Sequence, residues 1–343
     1  MNHNIAKGLL ILLVAIDHND FARDVIPGFL RGLSFHVVAF MALPFIRPAL
    51  PLNAAAIGKH FFRLYYPFLV FACVTAGGYW LSTGRPLGDS LVNLLHALYS
   101  ANVVSLKAAT NMALLWFLPS LFSLLIIKGG IEEAGRPLKY FFVVAALVCH
   151  PLIGAAPAMT QHYLPLGLLP AMYVVPLVYV IAFLHLKAFE PMPRKIAFLV
   201  SAILFASVKH VQIQLGLSQE VGFGLVSDYR NPLALLVNDL EAITGSLLVF
   251  QMSRFRLGSL CERLGRFSLQ VYLFHAFIGA ALFVAIKRMP VAIDSLTALV
   301  VSVVLTLGSS MLLAQVVFGT KRLKPALFPE NGGELLGTVR RFS

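Results

Sequence analysis

Long apolar blocks, each ended by a short polar stretch, recur along the whole chain. Ten can be marked, at roughly 5–18, 33–50, 64–82, 112–128, 139–156, 164–186, 195–213, 232–251, 268–286 and 291–318. Most approach the roughly 20 apolar residues that a bilayer-spanning helix needs. In lipid every backbone group has to be paired inside its own segment, so helices are the expected state. The in–out alternation of a membrane barrel strand is absent. The pattern predicts an all-α polytopic integral membrane protein, a bundle of about ten transmembrane helices. It also predicts one membrane domain over 1–320 and a tail over 321–343.

The first block departs from this pattern. "AKGLLILLVAIDHNDFARD" begins with Lys7 and meets Asp17, His18, Asn19 and Asp20 after only nine apolar residues. Eleven residues separate Lys7 from His18. On a helix that is about three turns, so both lie on one face, about 16 Å apart along the axis. Intramembrane polar groups are costly and mark function by default. A run of four of them has to line a protein cavity or wet cleft, unless the helix is short and "DHND" is its outer interface. No small-residue cleavage site follows the apolar run, so the first helix is expected to stay in place.

Composition sharpens the class. Of 343 residues 59% are hydrophobic and only 12% charged, roughly half the charge of an ordinary soluble chain. The formal net charge is +12. No compact basic tract with interleaved aromatics is present, which disfavours nucleic acid as a partner. Counted loop by loop, 19 of the 27 lysines and arginines fall on one side of the ten segments and 8 on the other. The richer side includes Lys128 and the tail residues Arg340 and Arg341; the poorer includes Arg31, Lys209 and Arg230. By the positive-inside rule both termini are then cytoplasmic. Cys73, Cys149 and Cys261 are scattered singly, match no metal or CxxC spacing and read as packing residues. HExxH, P-loop, dinucleotide and GxSxG signatures are all missing. No metal is expected.

Further polar residues stand in or beside the apolar blocks. His36, in "GLSFHVVAFMALPFIRP", flanks the same hairpin as His18, and two imidazoles on one cleft suit general acid–base work near neutrality. Alone, His36 could equally be a hydrogen-bonded packing residue. "GKHFFRLYYPF" sets Lys59 and Arg63 at the entry to the third block. That is a phosphate-site composition, and also what the positive-inside rule yields with no ligand. Trp116, in "NMALLWFLPSLF", fits an interfacial belt. Ser268, Tyr272 and His275, in "FSLQVYLFHAFI", form one polar stripe at i, i+4 and i+7 and should face the bundle interior. His96, His150, His162, His185 and His210, at block ends or in loops, are set aside as non-catalytic.

Taken in order, these motifs resemble the membrane-bound acyltransferase-3 family, which includes fucose 4-O-acetylase-like sugar O-acyltransferases. "KGLLILLVAIDH" is similar to the family's basic residue, ten residues, then His. Phe35–His36, "KHFFRLYYP", "LWFLPSLF" and "SLQVYLFH" resemble its later segments, so the likeness covers nearly the whole chain. "FMALPFIRP" differs from the family's small Ser-Gly pair, offering Pro44 and Arg47 instead.

The resemblance implies a ten-helix fold and transfer of an acyl group, most often acetyl. The donor would be acyl-CoA, with no metal, and the acceptor a hydroxyl of an envelope polysaccharide or lipid-linked sugar. It implies a bacterial inner membrane, with membrane lipid as a partner and a homo-oligomer left open. His18 would take the acceptor proton or carry the acyl group, with His36 beside it and Asp17 or Asp20 orienting the ring. Lys7, Lys59, Arg63 and Arg47 would contact the CoA, and Trp116 and His275 would line the acceptor cleft. Two readings compete: a proton-coupled transporter or flippase using Asp17, His18, Asp20 and His36 as a relay, and a non-catalytic scaffold in which His18 is dispensable.

Overall fold

A computed structural model of the chain describes residues 1–25, 35–48, 51–155, 164–217, 232–288 and 293–339. Arg31, His162, Arg230, Arg340 and Arg341 lie outside the described residues, as do the side chain of Cys149 and residues 26–34 of the link between His18 and His36. Among the described residues the regular structure is entirely helical. In chain order the helices are α1 (His3–Asp17), α2 (Ala22–Val25), α3 (Phe35–Ile46, its end a 3₁₀ turn) and α4 (Ala54–Thr83). Next come α5 (Leu87–Ser100), α6 (Val103–Thr110), α7 (Ala113–Glu133) and α8 (Gly135–Ala155). They are followed by α9 (Leu168–Phe189), α10 (Arg194–Gln214), α11 (Pro232–Met252) and α12 (Ser259–Arg266). The last four are α13 (Ser268–Lys287), α14 (Ser295–Gly319), α15 (Leu323–Leu327) and α16 (Gly332–Val339).

Each of the ten apolar blocks carries one of these helices. Seven described helices are long and apolar enough to cross a membrane: α4, α7, α9, α10, α11, α13 and α14. α1 is shorter, 15 residues, or about 22 Å at 1.5 Å per residue. The stretch 83–111, between the third and fourth apolar blocks, holds α5 and α6. Both start on good terminal signals: Pro86 precedes α5, and the Asn102 side chain accepts the Ser105 amide to cap α6. Two lysines counted as loop charges also need correcting. Lys128 lies inside α7 and Lys209 inside α10, and both are buried. Cys73 is exposed on α4 rather than packed.

The chain forms two compact units. The first comprises 1–46, 177–222 and 231–316, the second 47–176, 223–230 and 317–343. In the first, Ile11, Ala15, Phe21, Leu264, Val271 and Leu299 belong to one apolar cluster joining α1, α12, α13 and α14. α1 and α12 approach backbone to backbone. A Cβ on Gly8 would stand 2.0 Å from the Cys261 carbonyl oxygen, and one on Gly265 would stand 1.7 Å from that of Asn4. Small residues permit this contact, as they do in membrane helix pairs. Gly245 of α11 likewise leaves room for the Phe35 ring, which a Cβ would meet at 2.5 Å.

In the second unit, Phe61, Tyr65, Phe68 and Phe122 stack into an aromatic cluster between α4 and α7. Tyr65 donates to the Leu98 carbonyl and Tyr66 to that of Ala326, each at 2.9 Å. Gly167 has a φ of +64°, and a Cβ there would meet Ser120 Oγ at 2.6 Å. Both the left-handed backbone and the close approach require glycine.

Candidate active site

α1 ends in the polar run, and each of its members has a distinct place. Asn2 caps the start of the helix, its side-chain oxygen accepting the Asn4 and Ile5 amides. At the far end Asn19 is buried. Its amide donates to Ser302 Oγ at 2.9 Å and its Oδ1 accepts the Phe21 amide at 3.0 Å. Asn19 therefore fixes the turn after α1 and ties it to α14. Asp17 is half-buried, while His18 and Asp20 are exposed.

His18 Nδ1 lies 2.9 Å from the Val14 carbonyl oxygen. A carbonyl can only accept, so Nδ1 carries the proton, and a neutral ring keeps its lone pair on Nε2. The group that orients the imidazole is thus a backbone carbonyl one turn back on the same helix, where Asp17 or Asp20 had been expected.

Two further imidazoles stand against His18. The His36 ring is 5.9 Å away, centroid to centroid, at 84°, and the His275 ring 5.7 Å away at 48°. Both are buried, at 1% and 3% exposure. His18 is therefore the accessible member of a three-histidine cluster, backed by two rings that solvent does not reach. His275 Nδ1 donates to the Tyr272 carbonyl at 2.6 Å. Its Nε2 is buried with no hydrogen-bond partner among the described residues, and in the neutral ring it too holds a lone pair. The chemistry available is proton transfer. An accessible base with a fixed tautomer has beside it a second imidazole able to share or relay a proton.

His36 owes its place to α3 packing on α11 through Phe35 and Gly245. His275 owes its place to the apolar face of α13, where Val271, Leu273 and Phe274 are buried beside it. Among the described residues no group of three or more His, Cys, Asp and Glu side chains has the arrangement to hold a metal ion.

Lys7 stands three turns before His18 on the same helix, half-buried. Arg47, Lys59, Arg63 and Trp116 belong to the second unit. There Arg47, Lys59 and Arg63 are exposed and Trp116 is buried. The Lys128 ammonium, 3% exposed, donates to the Arg47 carbonyl at 2.6 Å and sits 3.5 Å from Glu132.

A second polar feature of the first unit went unnoticed in the sequence. Lys209 Nζ and Glu241 Oε1 lie 2.7 Å apart with side chains 5% and 2% exposed, joining α10 to α11. Gln212 donates to the other carboxylate oxygen and to Asn238 Oδ1. The signal was present: a Lys inside the block 195–213 and an Asp and a Glu inside 232–251. Intramembrane charges default to function or pairing.

No family model matches this chain, and neither does any curated protein or solved structure.

Proposed function

We propose that this protein is a membrane-bound O-acyltransferase. It moves an acyl group, in the first instance acetyl, from acyl-CoA to a hydroxyl of an envelope polysaccharide or lipid-linked sugar. The observation that carries the reading is His18: exposed, fixed by Val14 in the tautomer that leaves Nε2 basic, and flanked by His36 and His275. In the proposed step Nε2 takes the acceptor hydroxyl's proton as that oxygen attacks the thioester carbonyl. The carbon–sulfur bond then breaks and the departing thiolate recovers the proton as CoA thiol. General-base help of this kind is worth about 10²- to 10⁴-fold. The reading extends to ten membrane crossings with both termini cytoplasmic, in a bacterial inner membrane.

The test uses membranes containing the protein or its His18→Ala variant, supplied with radiolabelled acetyl-CoA and an envelope-glycan fraction. Label entering glycan only with the unaltered protein supports the reading. Equal label with both removes His18 from the mechanism, and no label with either, after longer acyl donors, removes the transferase.

One observation favours a second reading. The buried Lys209–Glu241 pair between two apolar helices is the kind of group that proton-coupled transporters place at mid-membrane. A transporter would show substrate uptake that collapses on Glu241→Gln while acyl transfer is absent.

A further inference from the structure

A cavity of about 400 Å³ opens at the start of α1, lined by Asn2, Ile5, Arg194, Ser253, Arg254 and Arg256 among others. Its lining holds three arginines and no carboxylate side chain. The three guanidinium groups are not equivalent. Arg254 is held in place by four oxygens: it donates to the carbonyls of Phe189, Glu190 and Met192 and to Gln251 Oε1. Gln251 in turn reaches the buried His185. Arg254 therefore contributes a fixed positive charge, with both terminal nitrogens already engaged.

Arg194 lies over the Phe255 ring at 5.7 Å and is exposed. Arg256 is exposed too, and no described residue engages its guanidinium. The first amides of α1 are already taken by Asn2, so an anion here would be met by Arg194 and Arg256 rather than by the helix end. Two forked donors beside a third, immobilised cation match the charge and geometry of phosphate oxygens.

We propose that this cavity binds the phosphate groups of the ligand that α1 serves. The proposal rests on the acyl-CoA reading and deepens it: the anionic head of the donor sits among Arg194, Arg254 and Arg256, with its thioester arm directed along α1 toward His18. Asn2 caps one end of that helix and His18 the other, a rise of about 24 Å for sixteen residues. α1 is held rigidly between them by the Gly8 and Gly265 contacts with α12, and Lys7 lies on the His18 face part-way along. The same phosphate chemistry is offered by an anionic lipid headgroup, and the experiment separates the two sources.

Full-length protein would be placed in phosphatidylcholine nanodiscs and titrated with CoA. The proteins compared are the unaltered chain, the Arg194→Gln/Arg256→Gln pair, Arg288→Gln as a control for net charge, and Lys59→Gln/Arg63→Gln. Both cavity arginines are exposed, and size-exclusion profiles check that the variants fold. The expected result is CoA affinity weakened about tenfold or more in the Arg194/Arg256 variant. The KM for acyl-CoA should rise with it, kcat should hold, and Arg288→Gln should bind as the unaltered chain does. CoA binding unchanged in the Arg194/Arg256 variant, or lost only in the Lys59/Arg63 variant, overturns the proposal.

The lipid arm repeats the comparison with phosphatidylglycerol in the discs. No CoA binding by the unaltered protein, with phosphatidylglycerol retained by it and not by the Arg194/Arg256 variant, overturns the donor assignment in favour of a headgroup site. Binding of neither overturns the phosphate site altogether. Arg-dependent CoA binding by a protein that transfers no acyl group leaves the site standing and removes the transferase reading alone.

Discussion

His18 and His275 face one another with ring centroids 5.7 Å apart, each tied at Nδ1 to a carbonyl of its own helix, Val14 in one case and Tyr272 in the other. The two rings come from opposite ends of the sequence, and both are locked in the tautomer that leaves Nε2 as the basic nitrogen. One is exposed and one is buried. The exposed ring is the one that a substrate can reach.

The transferase reading makes His18→Gln a loss-of-function change at constant fold. Glutamine keeps hydrogen-bonding capacity but cannot take a proton at neutral pH, so kcat should fall by about 10²- to 10⁴-fold. The thermal midpoint of the purified protein should move little, because the side chain is exposed. Single-turnover assays of acetyl transfer give the first quantity, and melting in detergent gives the second.

Gly8→Ala and Gly265→Ala should each destabilise the first unit strongly. Their added methyl groups would meet backbone oxygens, which cannot rotate away. Overpacking usually costs about 1–3 kcal/mol, and a backbone clash belongs at or above the top of that range. Gly58→Ala is the counterpart. A Cβ there meets nothing within 4 Å, so an added methyl in a helix should stabilise by about 0.5–1 kcal/mol. Comparison of the three melting midpoints tests the α1–α12 contact.

Breaking the Lys209–Glu241 pair from one side should be worse than removing both partners. A buried charge left alone costs about 3–5 kcal/mol, whereas replacing a buried pair by apolar residues of similar volume is often neutral. Lys209→Met and Glu241→Gln should therefore each lower the thermal midpoint, and Lys209→Met/Glu241→Leu should recover most of the loss. Additive losses in that double variant would show that the two side chains do not act as a pair.

Near the C-terminal end, Lys324 donates to Glu330 at 2.6 Å, with Glu334 3.8 Å away. The hydrogen bond and charge of Lys324 hold the Glu330 carboxyl below its ordinary range, and Glu330 raises the Lys324 ammonium above its own. A depressed carboxyl stabilises above its unfolded value and loses that contribution as pH falls through its folded value. A raised amine stabilises below its unfolded value and loses it as pH rises through its folded one. The contribution should be flat between about pH 5 and pH 10 and should fade on either side. It stays below about 1 kcal/mol because Glu330 is exposed and salt screens it. Hydrogen exchange over α15 and α16 should quicken modestly with Glu330→Gln or high salt; no change would leave the pair without a role in ordering the tail.

The helices were legible because long apolar blocks admit few alternatives in or out of a bilayer. α5 and α6 were not, because polar residues interrupt their apolar ones too often to make a membrane-length block. Within the candidate site, His18, His36 and His275 stood out as polar residues in apolar surroundings. Asn19 was visible in the same run, but its structural part was not, since that depends on Ser302 of α14.

Sequence alone determined that this chain is helical and apolar, where its long apolar helices run, and which imidazoles interrupt them, because those properties depend on neighbours within a few turns. Tertiary structure decided which of those residues meet. It put His275 beside His18 and His36, gave Lys209 to Glu241, and assigned the orientation of the His18 ring to Val14. It also gathered Arg194, Arg254 and Arg256 around one cavity. The physical reason is that an ion pair, a ring contact or a cavity depends on distances of a few ångströms between residues far apart along the chain. Local periodicity carries no record of those distances.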